Sequence, residues 1–139
     1  MINNLASYFE SEQEYYLQSI KYDRIVGDMP QNKYDLNCTD TISTEAYEEG
    51  KVRLTLKRKV AFKPEDFFEL SIEFGAILSL KKEIKGEIDW DKVNLEDEFR
   101  NNGSFVLANL ASRISLLIAE ITSSFGQQPI ILPVGISNE

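Results

Sequence analysis

Gly103-Ser-Phe-Val-Leu-Ala-Asn-Leu-Ala-Ser-Arg-Ile-Ser-Leu-Leu-Ile-Ala-Glu-Ile-Thr-Ser-Ser-Phe-Gly126-Gln-Gln-Pro-Ile-Ile-Leu-Pro133 reads as one long helix with both ends marked. Ser104 is a plausible N-cap, and Gly126 followed by Pro129 is a stop signal. At about 100° per residue the side chains separate into stripes. Leu107, Leu110, Ala111, Ile114, Leu117, Ile118, Ile121 and Phe125 form a broad apolar face. Ala108, Ser112, Ser115, Ala119 and Ser123 form a second stripe of small residues only, with Asn109, Arg113, Leu116 and Glu120 between the two on the water side. The apolar face needs a sheet or other helices to cover it. A water-facing stripe would more often carry Lys and Glu, whereas small side chains let another backbone come close. The stripe is therefore read as an oligomer interface, against the plainer alternative of a helix that is merely Ser/Ala-rich outside.

Upstream of this helix the pattern changes from helical to alternating. Met1 to Glu14 is acidic and reads as a short terminal helix or a flexible segment. A first strand covers Tyr15 to Val26, with Tyr16, Ile20, Tyr22 and Val26 on one face and Leu17, Ser19, Lys21, Asp23 and Ile25 on the other. Gly27-Asp28-Met29-Pro30 breaks it. A second strand runs from Lys33 to Ser43 with Tyr34, Leu36, Cys38 and Ile42 sharing a face that Asp40 interrupts. Asp40 is expected at a strand end in water. Thr44 to Gly50 reads as an acidic connection.

A third strand covers Lys51 to Phe62, with Val52, Leu54, Leu56, Val60 and Phe62 inward. Arg58 falls on the inward side, which suggests a bulge or a fray. After Pro64-Glu65-Asp66 a fourth strand covers Phe67 to Leu80, alternating up to Gly75 and continuously apolar beyond it. Lys81 to Gly86 reads as a charged turn and Trp90 to Phe99 as a short amphipathic helix. Pro129 to Ile136 is an extended apolar tail. Four strands with short connections followed by helices define an α+β layer: an antiparallel sheet with the long helix packed on one face, in a single domain over residues 1–139.

Composition narrows the function classes. The 139 residues carry a net charge of -8, so nucleic acid, which needs a basic field, is a poor partner. One Cys and no His rule out an internal disulfide, Cys/His zinc sites and triads that use His as base. Asp89-Trp90-Asp91-Lys92-Val93-Asn94 starts like a calcium loop but places Val93 at a ligand position and Asn94 where the turn needs glycine. No phosphate loop, nucleophile elbow or dinucleotide fingerprint is present, so neither a metal nor a cofactor is expected, nor catalysis. No signal peptide is visible, and the long helix has too many polar residues for a membrane span, which makes the cytoplasm the default address. What is left over is apolar surface: Tyr16, Leu17, Ile25, Tyr34, Leu36 and Cys38 are candidates for an exposed groove.

The order of these segments resembles the SecB family of export chaperones from Tyr15 to Ile136. The likeness is carried by Leu17-Gln18-Ser19-Ile20 through Met29-Pro30, by Tyr34-Asp35-Leu36-Asn37, and above all by Asn102-Gly103 through Phe125-Gly126 with Pro129-Ile130-Ile131-Leu132-Pro133-Val134 after it. The resemblance implies a homotetramer built as a dimer of dimers with long helices between the dimers. It also implies an ATP-independent holdase that binds unfolded client chains in apolar grooves. Position by position, Tyr34, Leu36 and Cys38 fall where the family lines its client groove, and Ile25, Val26 and Met29 on the crossover beside it. The family docks the SecA export ATPase partly through acids on the sheet. Asp28 retains one, Arg24 and Ser71 stand where others are expected, and Glu69 and Glu73 are placed to compensate. The chain ends at Glu139, ahead of the family's usual C-terminal helix, which puts SecA coupling in doubt. SecB-like proteins also act as dedicated chaperones of toxin–antitoxin systems, so a module for one partner such as an antitoxin is the alternative.

Overall fold

The computed structural model describes residues 4–28, 30–48, 50–82, 92–126, 128–133 and 135. Four strands, β1 (Glu14–Ile25), β2 (Asp35–Glu48), β3 (Lys51–Lys63) and β4 (Phe67–Ser79), are followed by two helices, α1 (Leu95–Asn102) and α2 (Ser104–Ser123). The strands form one antiparallel sheet in the order β1-β4-β3-β2. The fourth strand is thus flanked by the first, and the β1–β2 crossover spans the end of the sheet. Strand β2 runs to Glu48, five residues past the expected end. The acidic stretch from Thr44 is therefore mostly strand, paired with β3 down to Glu48 opposite Lys51.

Cross-strand partners share a face, so the register assigns every side chain. Leu36, Cys38, Asp40 and Ile42 stand opposite Phe62, Val60, Arg58 and Leu56, on the helix side. The alternation expected in β1 fails at one point. The register shifts between Leu17 and Ser19, which makes Gln18 a bulge residue. Leu17 joins Ile20 and Tyr22 on the helix side, and Tyr16 goes to the other face, opposite Gly75.

The core lies between β3, β4 and α2. Leu54, Leu56, Val60, Leu70, Ile72, Ala76 and Leu78 of the sheet are buried against Val106, Leu107, Leu110, Ala111, Ile114 and Ile118 of the helix. Relative to the expected stripe, α2 is rolled so that Val106 and Thr122 are also buried while Phe125 is exposed. By length and composition alone α2 is apolar enough to cross a membrane, with a mean hydropathy of 1.5. The expectation that its polar residues forbid this does not hold. In the fold its apolar face is spent on the sheet.

Of the expected Trp90–Phe99 helix, Trp90 and Asp91 lie outside the described residues; the described helix begins at Leu95, where the Asn94 side chain accepts from the Asp97 amide at 3.2 Å. Ser104 is the first residue of α2, and the capping position belongs to Gly103, whose Cβ-less backbone lies against the Phe99 carbonyl. Gly126, in the turn that follows the end of α2 at Ser123, takes φ 81, a conformation open to glycine. The N-terminal stretch forms a 3-10 turn, Leu5–Tyr8, which buries Leu5 and Phe9. The Phe9 ring packs on Phe99 at 5.8 Å and Phe105 at 6.4 Å between centroids.

Two corrections concern charge. Asp40 is not at a strand end in water, and no bulge accommodates Arg58. The two are direct cross-strand partners, both buried, joined by a two-pronged ion pair. Arg58 Nε donates to Asp40 Oδ1 at 2.8 Å and Nη2 to Oδ2 at 2.9 Å. Arg58 Nη1 also donates to Ser115 Oγ at 2.8 Å and to the Pro133 carbonyl at 2.6 Å, and Nη2 to the Gly135 carbonyl at 2.7 Å. Desolvation would lower the guanidinium pKa, but the hydrogen bonds and charge of Asp40 outweigh it and the net shift is upward. This one side chain joins β2, α2 and the tail.

Candidate functional site

The sheet end that carries the crossover is rich in aromatic residues, because Phe62, Phe67 and Phe68 bracket the β3–β4 turn and Phe125 follows α2. Their rings form a chain of edge-to-face and tilted contacts. Tyr34 meets Phe67 at 4.8 Å, Phe67 meets Phe62 at 5.0 Å, Phe62 meets Phe68 at 5.3 Å, and Phe68 meets Phe125 at 5.6 Å. Tyr22 closes the chain at 5.4 Å from Phe125.

Around these rings opens a groove of about 560 Å³. Ile25 at the end of β1 and Val26 of the crossover form one rim, Leu36 and Phe62 a second, and Thr122, Phe125, Gln128 and Ile130 the wall on the helix side. Arg24 and Asp66 are the charged residues on it. Several of its apolar groups face solvent: Val26 is 75% exposed, Phe67 48%, Leu36 42% and Phe125 42%. A monomer normally keeps such a cluster covered, and an open one marks an interaction site.

The rim is fixed by Asp66. Its Oδ1 accepts from the Gly27 amide at 3.1 Å and the Phe67 amide at 2.8 Å, while Oδ2 accepts from the Tyr34 hydroxyl at 2.8 Å. The Tyr34 oxygen in turn accepts from the Gln31 amide at 3.1 Å. Both ends of the crossover are thereby tied to the β3–β4 turn. Phe67 sits at φ 64, a region bulky residues rarely occupy, which turns its ring toward Tyr34 and Phe62.

The Tyr34 hydroxyl, then the Phe67 and Gly27 amides, hold the Asp66 carboxyl below the usual carboxylate range. A carboxyl with a depressed folded pKa stabilises the fold above its unfolded value, and that contribution fades as pH falls through the folded value. Asp66→Asn is therefore expected to lower the melting temperature at pH 7, with the gap to wild type closing below about pH 4. A gap that is constant from pH 7 to pH 3 would refute the ionised latch. The bond to Asp66 raises the Tyr34 pKa, so its contribution is present at neutral pH and is lost as pH climbs past about 10.

The residues expected at a client groove are placed as follows. Ile25, Val26 and Leu36 line it. Tyr34 stands behind the rim with its hydroxyl committed to Asp66. Cys38 lies further along the same face, half-buried and away from the opening. Met29 lies outside the described residues. Tyr22, Phe62, Phe67, Phe68, Phe125 and Ile130 are the groove residues that strand-by-strand reading passed over. Three phenylalanines around one proline turn are the signal that points to them.

The expected interface residues divide. Ser112 and Ser123 are exposed, Ala108 and Ala119 are half-buried, and Ser115 is turned inward to Arg58. The expected docking acids do not form one acidic surface. Glu69 lies 3.8 Å from Lys59, Glu73 accepts from Ser19 Oγ at 3.4 Å and stands opposite Lys57, and Asp28 is exposed on the crossover. Among the described residues no group of three or more His, Cys, Asp or Glu side chains is arranged to hold a metal ion.

No protein-family model matches this sequence, and no curated protein matches it. The fold nevertheless has a known class: it is SecB-like. The structure that establishes this is the Mycobacterium tuberculosis Rv1957 SecB-like chaperone, solved in complex with a ChAD peptide from the Rv1956 HigA1 antitoxin. The two superpose with a TM-score of 0.68 over 92% of this chain and 91% of that one, at 15% identity. A protein of unknown function from Streptococcus agalactiae aligns with a TM-score of 0.48 over 89% of this chain and 97% of that one, at 13% identity.

Proposed function

We propose that this chain is an ATP-independent holdase, acting in the cytoplasm, which binds unfolded or partly folded polypeptide segments in the aromatic groove. The open cluster of Leu36, Phe62, Phe67, Phe68 and Phe125 carries the reading. Each leucine-sized client side chain that enters such a groove gains about 1.5–3 kcal/mol from leaving water. Several weak contacts of this kind hold many sequences without selecting one. The carboxylate on the rim, Asp66, is already engaged by the Gly27 and Phe67 amides and the Tyr34 hydroxyl, so holding there rests chiefly on apolar contact.

A second reading is favoured by one observation, the antitoxin peptide held by Rv1957. Here the same groove serves a single dedicated partner such as an antitoxin. Aggregation of a chemically unfolded protein, followed by light scattering without nucleotide, separates the two. The holdase is expected to suppress aggregation of several unrelated proteins at a few-fold molar excess. Suppression of none of them would remove the first reading and leave the second. The proposal does not extend to a SecA-type ATPase, since Glu69 and Glu73 are interleaved with lysines.

Self-association through α2 is part of the proposal. Ala119 is the cleanest probe of the small stripe, because Ser115 is committed to Arg58. Ala119→Arg is expected to halve the mass measured by light scattering, from tetramer to dimer. An unchanged mass would place the interface elsewhere.

A further inference from the structure

The apolar tail after α2 does not simply trail away from the helix. Residues 128–133 form no helix or strand, yet Ile130 and Leu132 pack on the core with Ile131 75% exposed between them. This is the alternation of a strand, yet among the described residues no backbone–backbone hydrogen bond holds the segment. Side chains grip its main chain instead. Thr122 Oγ1 accepts from the Ile130 amide at 2.9 Å, and Arg58 donates to the Pro133 and Gly135 carbonyls at 2.6 and 2.7 Å. Pro129 and Pro133 have no amide hydrogen to leave unsatisfied.

A grip on amide and carbonyl groups does not depend on which residues supply them. Arg58 is built for it. Asp40 takes two of its N–H groups and Ser115 one, which fixes the plane of the buried guanidinium and aims the remaining two at the tail. If the tail left, those two donors would be stranded unless other carbonyls or water replaced the lost ones. The bed is also continuous with the open groove, because Thr122 and Ile130 belong to the groove wall.

Resting on the holdase reading, we infer that the bed beneath the tail is a second peptide-binding segment of the same groove. Arg58 and Thr122 grip the main chain of an extended, uncharged apolar polypeptide there, and the tail is a resident occupant that client segments displace.

The test uses the full chain and a fluorescent peptide, Gln-Pro-Ile-Ile-Leu-Pro, which copies residues 128–133. Saturating peptide is expected to speed hydrogen exchange at the Ile130 amide of the unmodified protein at least ten-fold, and this arm needs no variant to fold. The tail variant I130D/L132D, checked for native circular dichroism, is expected to bind the peptide about ten-fold tighter than wild type in fluorescence anisotropy. Adding Thr122→Val should abolish that gain. Peptide that binds wild type without changing Ile130 exchange overturns the inference, as does a tail variant that binds no tighter. Exchange that responds to protein concentration and not to peptide would make the bed a self-association site, and the inference again falls. An unfolded client that is held while Ile130 exchange stays unmoved defeats this inference alone. Peptide-driven exchange in a protein that holds no unfolded client defeats the holdase reading alone.

Discussion

Replacing Arg58 with methionine is expected to destabilise the fold by about 3–5 kcal/mol, read as a lower urea midpoint at unchanged slope. The side chains of Arg58 and Asp40 are both fully buried. Taking two charges out of water is costly, and the pair is tolerable because its geometry is two-pronged and the other guanidinium N–H groups are used. Removing the cation alone leaves the Asp40 carboxylate inside the sheet face without the charge that answered it. Removing both, as Asp40→Leu with Arg58→Met, is expected to return most of the loss, since a well-packed apolar pair of similar volume is often as stable as the ions it replaces. The double variant still lacks the donors that hold Pro133 and Gly135, so its tail should exchange faster even where global stability recovers. A single variant that loses less than about 1 kcal/mol would mean the pair is not sealed from water as described.

The second large effect is on binding. Leu36→Asp and Phe67→Asp are each expected to reduce suppression of client aggregation more than ten-fold. Both residues are more than two-fifths exposed, so a carboxylate at either position stays in water and the fold loses little. In the client complex the same carboxylate would be buried among aromatic rings, at a cost comparable to the gain from one or two apolar client side chains. Phe68 is a poorer probe because it is core as well as groove wall, and Tyr34 would release the Asp66 latch. Lys57→Asp on the outer face of the sheet supplies a control for a new charge and should leave holding unchanged. If Leu36→Asp and Phe67→Asp both hold clients like wild type, the groove is not the site.

Much of this architecture could be read from periodicity. The four alternating runs, the Gly103–Gly126 helix and the layer they form all appear in the structure, because one-sided burial leaves a period of two or 3.6 in the sequence. Errors arose where two elements decide an outcome together. Asp40 and Arg58 each look misplaced in their own strand. Their positions make sense only in the β2–β3 register, which a strand ended at Ser43 conceals. The Gln18 bulge moved Tyr16 to the outer face, since one inserted residue exchanges the faces beyond it. At the groove, Ile25 and Leu36 are legible as surplus apolar surface on the first two strands, and Val26 from the resemblance. The phenylalanines were not, because they meet across a turn, a strand and a helix end that are distant in sequence.

The outer face of the sheet has a consequence for how other molecules approach. Strand β3 sends Lys57 and Lys59 to that face, in an otherwise acidic chain, and β4 answers with Glu69 and Glu73. Charges of both signs interleaved at this spacing cancel within about a Debye length of 8–10 Å. A passing polypeptide, basic or acidic, feels little pull toward that side before touching it. Capture by long-range attraction is thereby suppressed on that face, and encounters are left to the largely apolar opening on the helix side, where one cation, Arg24, and one latched carboxylate, Asp66, leave capture only weakly dependent on added salt.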